Sequence, residues 1–489
     1  MTTELFDVRV LHGNRVLVDV PRLTLVPGEP VTIVGESGSG KSLLAHALMG
    51  SLPPGLRVEG TIRHDGAESP LADTRARRRL WGRRLALLPQ EPVLALDPTM
   101  RVGVQVAEGA PGFHSGRRGR LRALETAGER LAGLGLAGSG RSYPHTLSGG
   151  MAQRVAFAAA TMGGADTLIA DEPSKGLDAV ARDALAGMLA KHADDGGALL
   201  TITHDLALAR ALGGTVLVMR QAAVVEQGPA ERVLGAPDHA WTRRLLAAEP
   251  RRWDVPWRGG GGAGGAVGGG GAGAALITAS GLAKSYSGKP LFSGLDVDIA
   301  AGERLALTGP SGCGKTTLGG ILLRLVDTDA GTVRHDPALS GGRVQKLYQD
   351  PAVSFAPGVP IRAGLRDVVR RHGADPSRVG ILMERLGLSP ELLDRRPGEV
   401  SGGELQRIAI IRAMLVGPRV LFADEPTSRL DLLTQEETVR CLMDQVAEHD
   451  AALVLVTHDE DLADAVAARR LRLGEAPSAA DREPVPAAV

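Results

Sequence analysis

Only two cysteines, Cys313 and Cys441, occur in 489 residues, so neither a disulfide framework nor the ligand spacing of a cysteine metal site can be assembled. A reducing cytoplasm is the expected setting. No run of about 18 apolar residues occurs, and the start Met1-Thr2-Thr3-Glu4-Leu5-Phe6-Asp7 lacks a basic stretch followed by an apolar one. Neither a membrane-spanning helix nor an export signal is expected. Excess charge is missing too: Lys plus Arg and Asp plus Glu both number 56, so the overall balance calls for neither nucleic acid nor an anionic membrane. Aromatic residues are scarce, at 3%, whereas glycine reaches 65 residues and is concentrated between Gly259 and Ala275, a stretch almost purely Gly and Ala. Such a segment cannot bury side chains and predicts a flexible coil, with a span of roughly 20 to 25 Å. It divides the chain into expected domains 1–258 and 276–489, joined by linker 259–275.

The two parts repeat one another. Gly35-Glu36-Ser37-Gly38-Ser39-Gly40-Lys41-Ser42 returns as Gly309-Pro310-Ser311-Gly312-Cys313-Gly314-Lys315-Thr316; Glu29, Gly35 and Lys41 recur 274 positions later, and Thr316 stands at the same offset from Ser42. Both copies fit the phosphate-binding loop, in which glycines let backbone N–H groups wrap a polyphosphate at a helix start. An apolar strand precedes each loop, Pro30–Val34 and Arg304–Thr308. Further apolar runs follow at Thr167–Ala170, Leu199–Thr203, Val420–Ala423 and Leu453–Thr457. Continuous apolar strands alternating with helices predict a buried, mostly parallel sheet in an α/β fold, once in each half.

After each loop the same shorter motifs follow in the same order. The first half gives Gln90, Leu147-Ser148-Gly149-Gly150-Met151-Ala152-Gln153, Asp171-Glu172-Pro173, Gly176-Leu177-Asp178 and His204. The second gives Gln349, Val400-Ser401-Gly402-Gly403-Glu404-Leu405-Gln406, Asp424-Glu425-Pro426, Leu430-Asp431 and His458. Ser148 and Ser401 each stand 23 residues before Asp171 and Asp424. Leu339-Ser340-Gly341-Gly342-Arg343-Val344-Gln345 spells a similar signature, but it lies 84 residues before Asp424 and ahead of Gln349, so Ser340 reads as a polar turn.

Through these motifs the chain resembles the nucleotide-binding domains of the ABC ATPase superfamily, twice and over nearly its whole length. The resemblance implies two tandem P-loop domains, each with a parallel core, a β-rich N-terminal part and a helical subdomain. It implies ATP and Mg²⁺: Gly35, Gly38, Gly40, Gly309, Gly312 and Gly314 cradle phosphates, and Lys41 and Lys315 reach the β- and γ-phosphates. Ser42, Thr316, Asp171 and Asp424 hold the ion, with Gln90 and Gln349 sensing it. Glu172 and Glu425 polarise the attacking water, and His204 and His458 contact the γ-phosphate. Asp178 and Asp431 join the nucleotide site. Tyr286 stands 23 residues before Gly309, where this superfamily stacks an aromatic ring on adenine, and His12 holds the equal position before Gly35. The signature residues Ser148, Gly149 and Gly150 complete the nucleotide on Lys315, while Ser401, Gly402 and Gly403 complete that on Lys41. The two halves then form a head-to-tail pair that ATP closes.

Tyr143-Pro144-His145, Leu96-Asp97-Pro98-Thr99-Met100 and Pro237 to Leu246 look like the ATPase subunits of dipeptide, oligopeptide and nickel importers. Ser428-Arg429-Leu430-Asp431-Leu432 looks like their partner subunit. This implies a peripheral protein on the cytoplasmic membrane face, two separate permease subunits docked near 91–143 and 351–399, and an extracellular solute-binding protein. Short peptides, nickel and metal–chelator complexes all stay open as cargo. Without cysteine after Arg243-Arg244-Leu245-Leu246, no iron–sulfur centre is expected. The rival is a tandem ABC protein outside transport, such as the ribosome-associated ABC-F factors, whose halves are joined by a long charged helical arm rather than a Gly-rich linker. A clamp that never hydrolyses ATP is disfavoured by Glu172 and Glu425. The run Arg75 to Arg84 reads as a solvated helix face.

Overall fold

A computed structural model describes residues 2–255, 275–286 and 288–474. They form two compact units, Met1–Ala247 and Ala248–Val489. In the first unit Val31–Gly35 lies between Ala198–Thr203 and Thr215–Arg220, and Thr167–Asp171 and Leu85–Leu88 follow outward, all parallel. Every residue of Val31–Gly35, Thr167–Asp171 and Ala198–Thr203 is buried, as expected for strands covered on both faces. Beyond Thr215–Arg220 the sheet turns antiparallel through Ala223–Pro229, which meets Arg15–Leu25 at a single pair, Ala223 with Asp19. Thr3–His12, Leu56–His64 and Ala67–Pro70 complete a ten-stranded sheet.

The second unit repeats the parallel order with Val344–Leu347, Val420–Asp424, Ala452–Val456, Arg304–Thr308 and Arg469–Arg472. Its antiparallel ribbon, Lys289–Ala300, Ala275–Tyr286 and Ala330–His335, is a separate three-stranded sheet. A counterpart of the joining strand Ala223–Pro229 does not occur among the described residues of this unit.

Each unit also carries a helical layer. In the first, Val102–Glu108, Gly116–Gly133 and Gly149–Thr161 share one apolar cluster. Ala123, Ala127 and Leu131 enter it at four-residue spacing, which aligns them on one helix stripe. In the second, Ile361–His372, Ser377–Arg385 and Gly402–Met414 do the same through Leu365, Leu382 and Ile408.

Two expectations are modified by side-chain burial. The division between units falls after Ala247, earlier than the expected 258, because Trp253 and Val255 are buried in the core of the second unit beside Leu462 and Val466. Trp253 Nε1 donates to Ala248 O at 2.9 Å, which satisfies the indole inside that core. The Gly/Ala stretch itself, apart from Ala275, lies outside the described residues. Among Arg75 to Arg84, only Thr74–Arg78 is helical, and Arg77 departs from a solvated face: it is 1% exposed and donates to the carbonyls of Pro70 and Leu71. Burial pushes its guanidinium below the usual arginine range.

Candidate nucleotide sites

Both glycine loops run from the end of a central strand into a helix, Lys41–Met49 or Lys315–Leu322. Gly40 and Gly314 cap these helices at φ of +100° and +103°, a left-handed conformation that a side chain resists. A methyl group on Gly40 would also meet Leu17 O at 2.4 Å. The loop is thus pressed against the strand Arg15–Leu25, and glycine is what permits it.

The lysine side chains turn back into their own loops. Lys41 Nζ donates to Gly35 O and Glu36 O, both at 2.8 Å, and Lys315 Nζ to Gly309 O at 2.7 Å and Pro310 O at 2.9 Å. Both lysines are buried, so each loop encloses a positive charge beside the N-terminus of a helix. That combination attracts a polyphosphate.

One residue further, Ser42 Oγ donates to Asp171 Oδ1 at 2.9 Å and Thr316 Oγ1 to Asp424 Oδ1 at 3.2 Å. Burial pushes both carboxyls up, against the pull of the hydroxyl bond. A buried carboxylate beside a hydroxyl is a hard oxygen pair, short of positive charge, and its chemistry fits a divalent ion such as Mg²⁺.

The next residue breaks the strand. Glu172 and Glu425 carry φ of +46° and +47°, rare for residues with a side chain, and their N–H groups bond Ile202 O at 2.7 Å and Val456 O at 2.9 Å. This twist sends each carboxylate toward the histidine beyond the neighbouring strand. His204 Nδ1 lies 2.8 Å from Glu172 Oε2, and His458 Nδ1 lies 3.2 Å from Glu425 Oε1. Thr203 Oγ1 also reaches Glu172, at 3.3 Å. In the second unit Gln349 Nε2 donates to Glu425 Oε2 at 3.0 Å. Gln90 and Glu172 are not joined in this way among the described residues, so only one of the two glutamines is brought to its glutamate.

Charge accounts for the first pair. Burial pushes Glu172 up, but the facing His204 and its hydrogen bond outweigh this and hold the carboxyl below its ordinary value. Burial pulls His204 down, and the Glu172 charge overcomes it, so the imidazole is raised above its ordinary value. The Glu172 contribution to stability is present above its ordinary pKa of about 4.5 and fades as pH falls through the lower folded value. The His204 contribution is complete below about 6.5 and fades as pH rises through the higher folded value. Stabilisation by the pair is therefore greatest between about pH 4.5 and 6.5. The melting deficit of His204→Gln, measured without nucleotide, should be larger at pH 6 than at pH 8.5; equal deficits would contradict the pairing.

The signature serines start helices. Ser148 caps Gly149–Thr161 and accepts from Met151 N–H at 3.4 Å, whereas Ser401 caps Gly402–Met414 with a full capping box involving Glu404. Gly149, Gly150, Gly402 and Gly403 supply the first turns, and both serines are exposed. Asp178 and Asp431 cap the later helices Ala179–Asp194 and Leu432–Glu448. Ser340 instead ends a short 3₁₀ turn, and Gly341 and Gly342, at φ of +71° and +84°, lead into the strand Val344–Leu347. The second Ser-Gly-Gly is a turn, as its position in the sequence requires.

His12 and Tyr286 take equal places at the tips of the two N-terminal hairpins, paired with Arg15 and Lys289. Tyr286 is 51% exposed and Lys284 Nζ lies 5.5 Å from its ring centre. Both rings are open to stacking.

Sequence reasoning missed Thr203, Glu404 and Arg429. Ser-x-x-Glu at 401–404 is itself a capping-box signal and could have been read. Arg429, which packs against Gly402, has no local signal.

Known proteins resemble this chain. The family described as ABC transporter matches residues 18–175 and 292–428. A peptidoglycan transport ATP-binding protein, YejF, of Agrobacterium fabrum is 34% identical over 472 residues, covering 91% of this chain and 85% of that protein. The glutathione import ATP-binding protein GsiA of Escherichia coli K12 is 33% identical over 524 residues, covering 94% and 82%. Among solved structures, the archaeal ribosome recycling factor aABCE1, in complex with ribosomal stalk protein aP1, aligns at a TM-score of 0.65 and 23% identity over 96% of this chain and 88% of that one. That likeness is one of fold. With both glycine loops, both aspartate–glutamate strand ends and both signature helices in place, the chain belongs to the ABC transporter ATP-binding proteins and is an ATPase with two ABC domains in tandem.

Proposed function

We propose that this chain is the ATP-hydrolysing subunit of an importer for short peptides or peptide-containing compounds, acting at the cytoplasmic face of a membrane. The observation that carries the reading is the duplicated site: Lys in its loop, hydroxyl on Asp, and His on Glu recur in both halves. The names of the relatives, peptidoglycan transport and glutathione import, support the cargo class, and the second also supports the direction. Among the described residues no helix is long and apolar enough to cross a membrane. The importer relatives support a transport path in separate permease subunits, served by an extracellular solute-binding protein.

In the reaction the glycine loops and lysines bind the phosphates of ATP. Ser42 with Asp171, and Thr316 with Asp424, would hold Mg²⁺, which would supply charge neutralisation at the phosphates. Glu172 and Glu425 orient a water in line with the γ-phosphate and draw off its proton. His204 and His458, held by these glutamates, face the same phosphate. Gln349, and Gln90 in the first half, position the water. His12 and Tyr286 stack on adenine. Ser148 with Gly149 and Gly150 closes over the nucleotide on Lys315, and Ser401 with Gly402 and Gly403 over that on Lys41. Asp178 and Asp431 set the loops between. The γ-phosphate holds the two halves head to tail until hydrolysis removes it, and this opening and closing drives the permeases.

A cleft of about 760 Å³ in the second unit borders the expected permease segment, with Phe355, Val359 and Val368 on its walls and Gly341, Gly342, Gln345 and Arg412 from outside that segment. Affinity isolation of the chain from membranes tests the reading. Co-purification of two permeases and a solute-binding protein is expected; a nickel-binding protein among them would shift the cargo to nickel, and recovery with ribosomes instead would contradict transport.

Cys313 provides a local check. Its Sγ lies 3.9 Å from Lys315 Nζ, inside the second glycine loop. Alkylation should slow hydrolysis, and pre-bound ATP should protect the thiol. Full activity in protein shown by mass to be alkylated would refute the placement.

A further inference from the structure

We propose that Arg429 is a phosphate-contacting residue of the second signature, acting on the nucleotide held by Lys41; this rests on the head-to-tail reading given above. Arg429 lies two residues before Asp431, in the turn that follows Glu425, and its side chain is 42% exposed. A methyl group on Gly402 would meet both Cδ and Nη1 of Arg429 at 3.3 Å, so the guanidinium lies against the first residue of the signature helix. Nη2 stands 3.6 Å from Asp350 Oδ1.

The serine beside it is already engaged. Ser401 Oγ donates to Glu404 Oε2 at 2.6 Å, and Ser401 N–H donates to the same oxygen at 3.0 Å. Two donors at this helix start are therefore spent internally, and a carboxylate in the first turn weakens its attraction for an anion. A positively charged group is what this end needs in order to hold a phosphate. Arg429 supplies it, with a permanently charged, planar set of donors that matches phosphate oxygens.

The first half is built differently. Met151 replaces Glu404, Gly176 replaces Arg429, and the Ser148 hydroxyl hydrogen is not donated to any other group among the described residues. The first signature keeps a hydroxyl donor and an unopposed helix end; the second carries a guanidinium. The two ATP sites reach closure by different groups.

A purely local role makes a different forecast. Asp350 follows Gln349, which bonds Glu425, so an Arg429 that only steadied this segment would serve the site on Lys315 in its own half. The two roles separate in the full chain. In a Glu425→Gln background, where Glu172 carries turnover, Arg429→Ala should lower kcat by about ten- to hundredfold, as expected for loss of one charge-assisted hydrogen bond to the reacting phosphate. Arg429→Lys should recover part of it. In a Glu172→Gln background the same substitution should change kcat less than about twofold. Loss confined to the Glu172→Gln background, or no loss in either, overturns the proposal. Should either glutamine substitution silence both sites, ATP trapping in the Glu172→Gln/Glu425→Gln protein decides: Arg429→Ala should raise the ATP needed to trap one of the two nucleotides, and an unchanged requirement overturns the role. If that doubly substituted protein traps no ATP even with Arg429 intact, the head-to-tail reading itself has failed.

Discussion

Glu172→Gln with Glu425→Gln should lower steady-state ATP hydrolysis by about 10²- to 10⁴-fold, the usual cost of removing a positioned general base. Each carboxylate stands at a twisted strand end, with φ of +46° or +47°, and faces the histidine past the next strand. Glutamine keeps the shape and the hydrogen bond but cannot take a proton, so ATP should bind and stay. Because both sites hold the same pair, each single substitution should lower turnover to a similar degree. Phosphate release assays on the two singles and the double measure this. If one single substitution abolishes turnover while the other is near wild type, the two sites are not both hydrolytic.

Lys41→Ala and Lys315→Ala should each weaken ATP binding at one loop by about ten- to hundredfold, from the loss of charge-assisted hydrogen bonds. Part of the loss comes before ATP arrives. Lys41 bonds two loop carbonyls, Gly35 O and Glu36 O, so its removal also loosens the cradle. Equilibrium binding should find one nucleotide per chain in either single variant, where the parent holds two. Two nucleotides at unchanged affinity would place the phosphates elsewhere.

Much of this was readable from the sequence because the relevant contacts are made by short motifs at fixed places in a parallel sheet. Asp171 and Asp424 end buried apolar strands, and the loops at Lys41 and Lys315 follow a neighbouring strand separated from them by one other, so strand order alone brings hydroxyl and carboxylate together. His204 and His458 follow the intervening strand, which sets them beside Glu172 and Glu425. The false signature at Ser340 could be rejected by position.

What could not be read depends on distant partners. Trp253 looks like the end of the first half, yet it is buried among Leu462 and Val466, some two hundred positions later. Arg77 sits in a basic run, and only the fold turns it onto the carbonyls of Pro70 and Leu71. Gln90 and Gln349 occupy the same motif, but among the described residues only Gln349 is bonded to its glutamate, a difference that motif order does not encode.

The central claim, that each signature serves the other half's nucleotide, is tested most directly by photocleavage with bound orthovanadate, which replaces the γ-phosphate and cuts the backbone beside it. In the parent chain, cuts are expected at both glycine loops and at Ser148 and Ser401. In Lys315→Ala the cut at Ser148 should vanish while that at Ser401 remains. Loss of the Ser401 cut instead, or cuts at the glycine loops alone in the parent, would contradict the account.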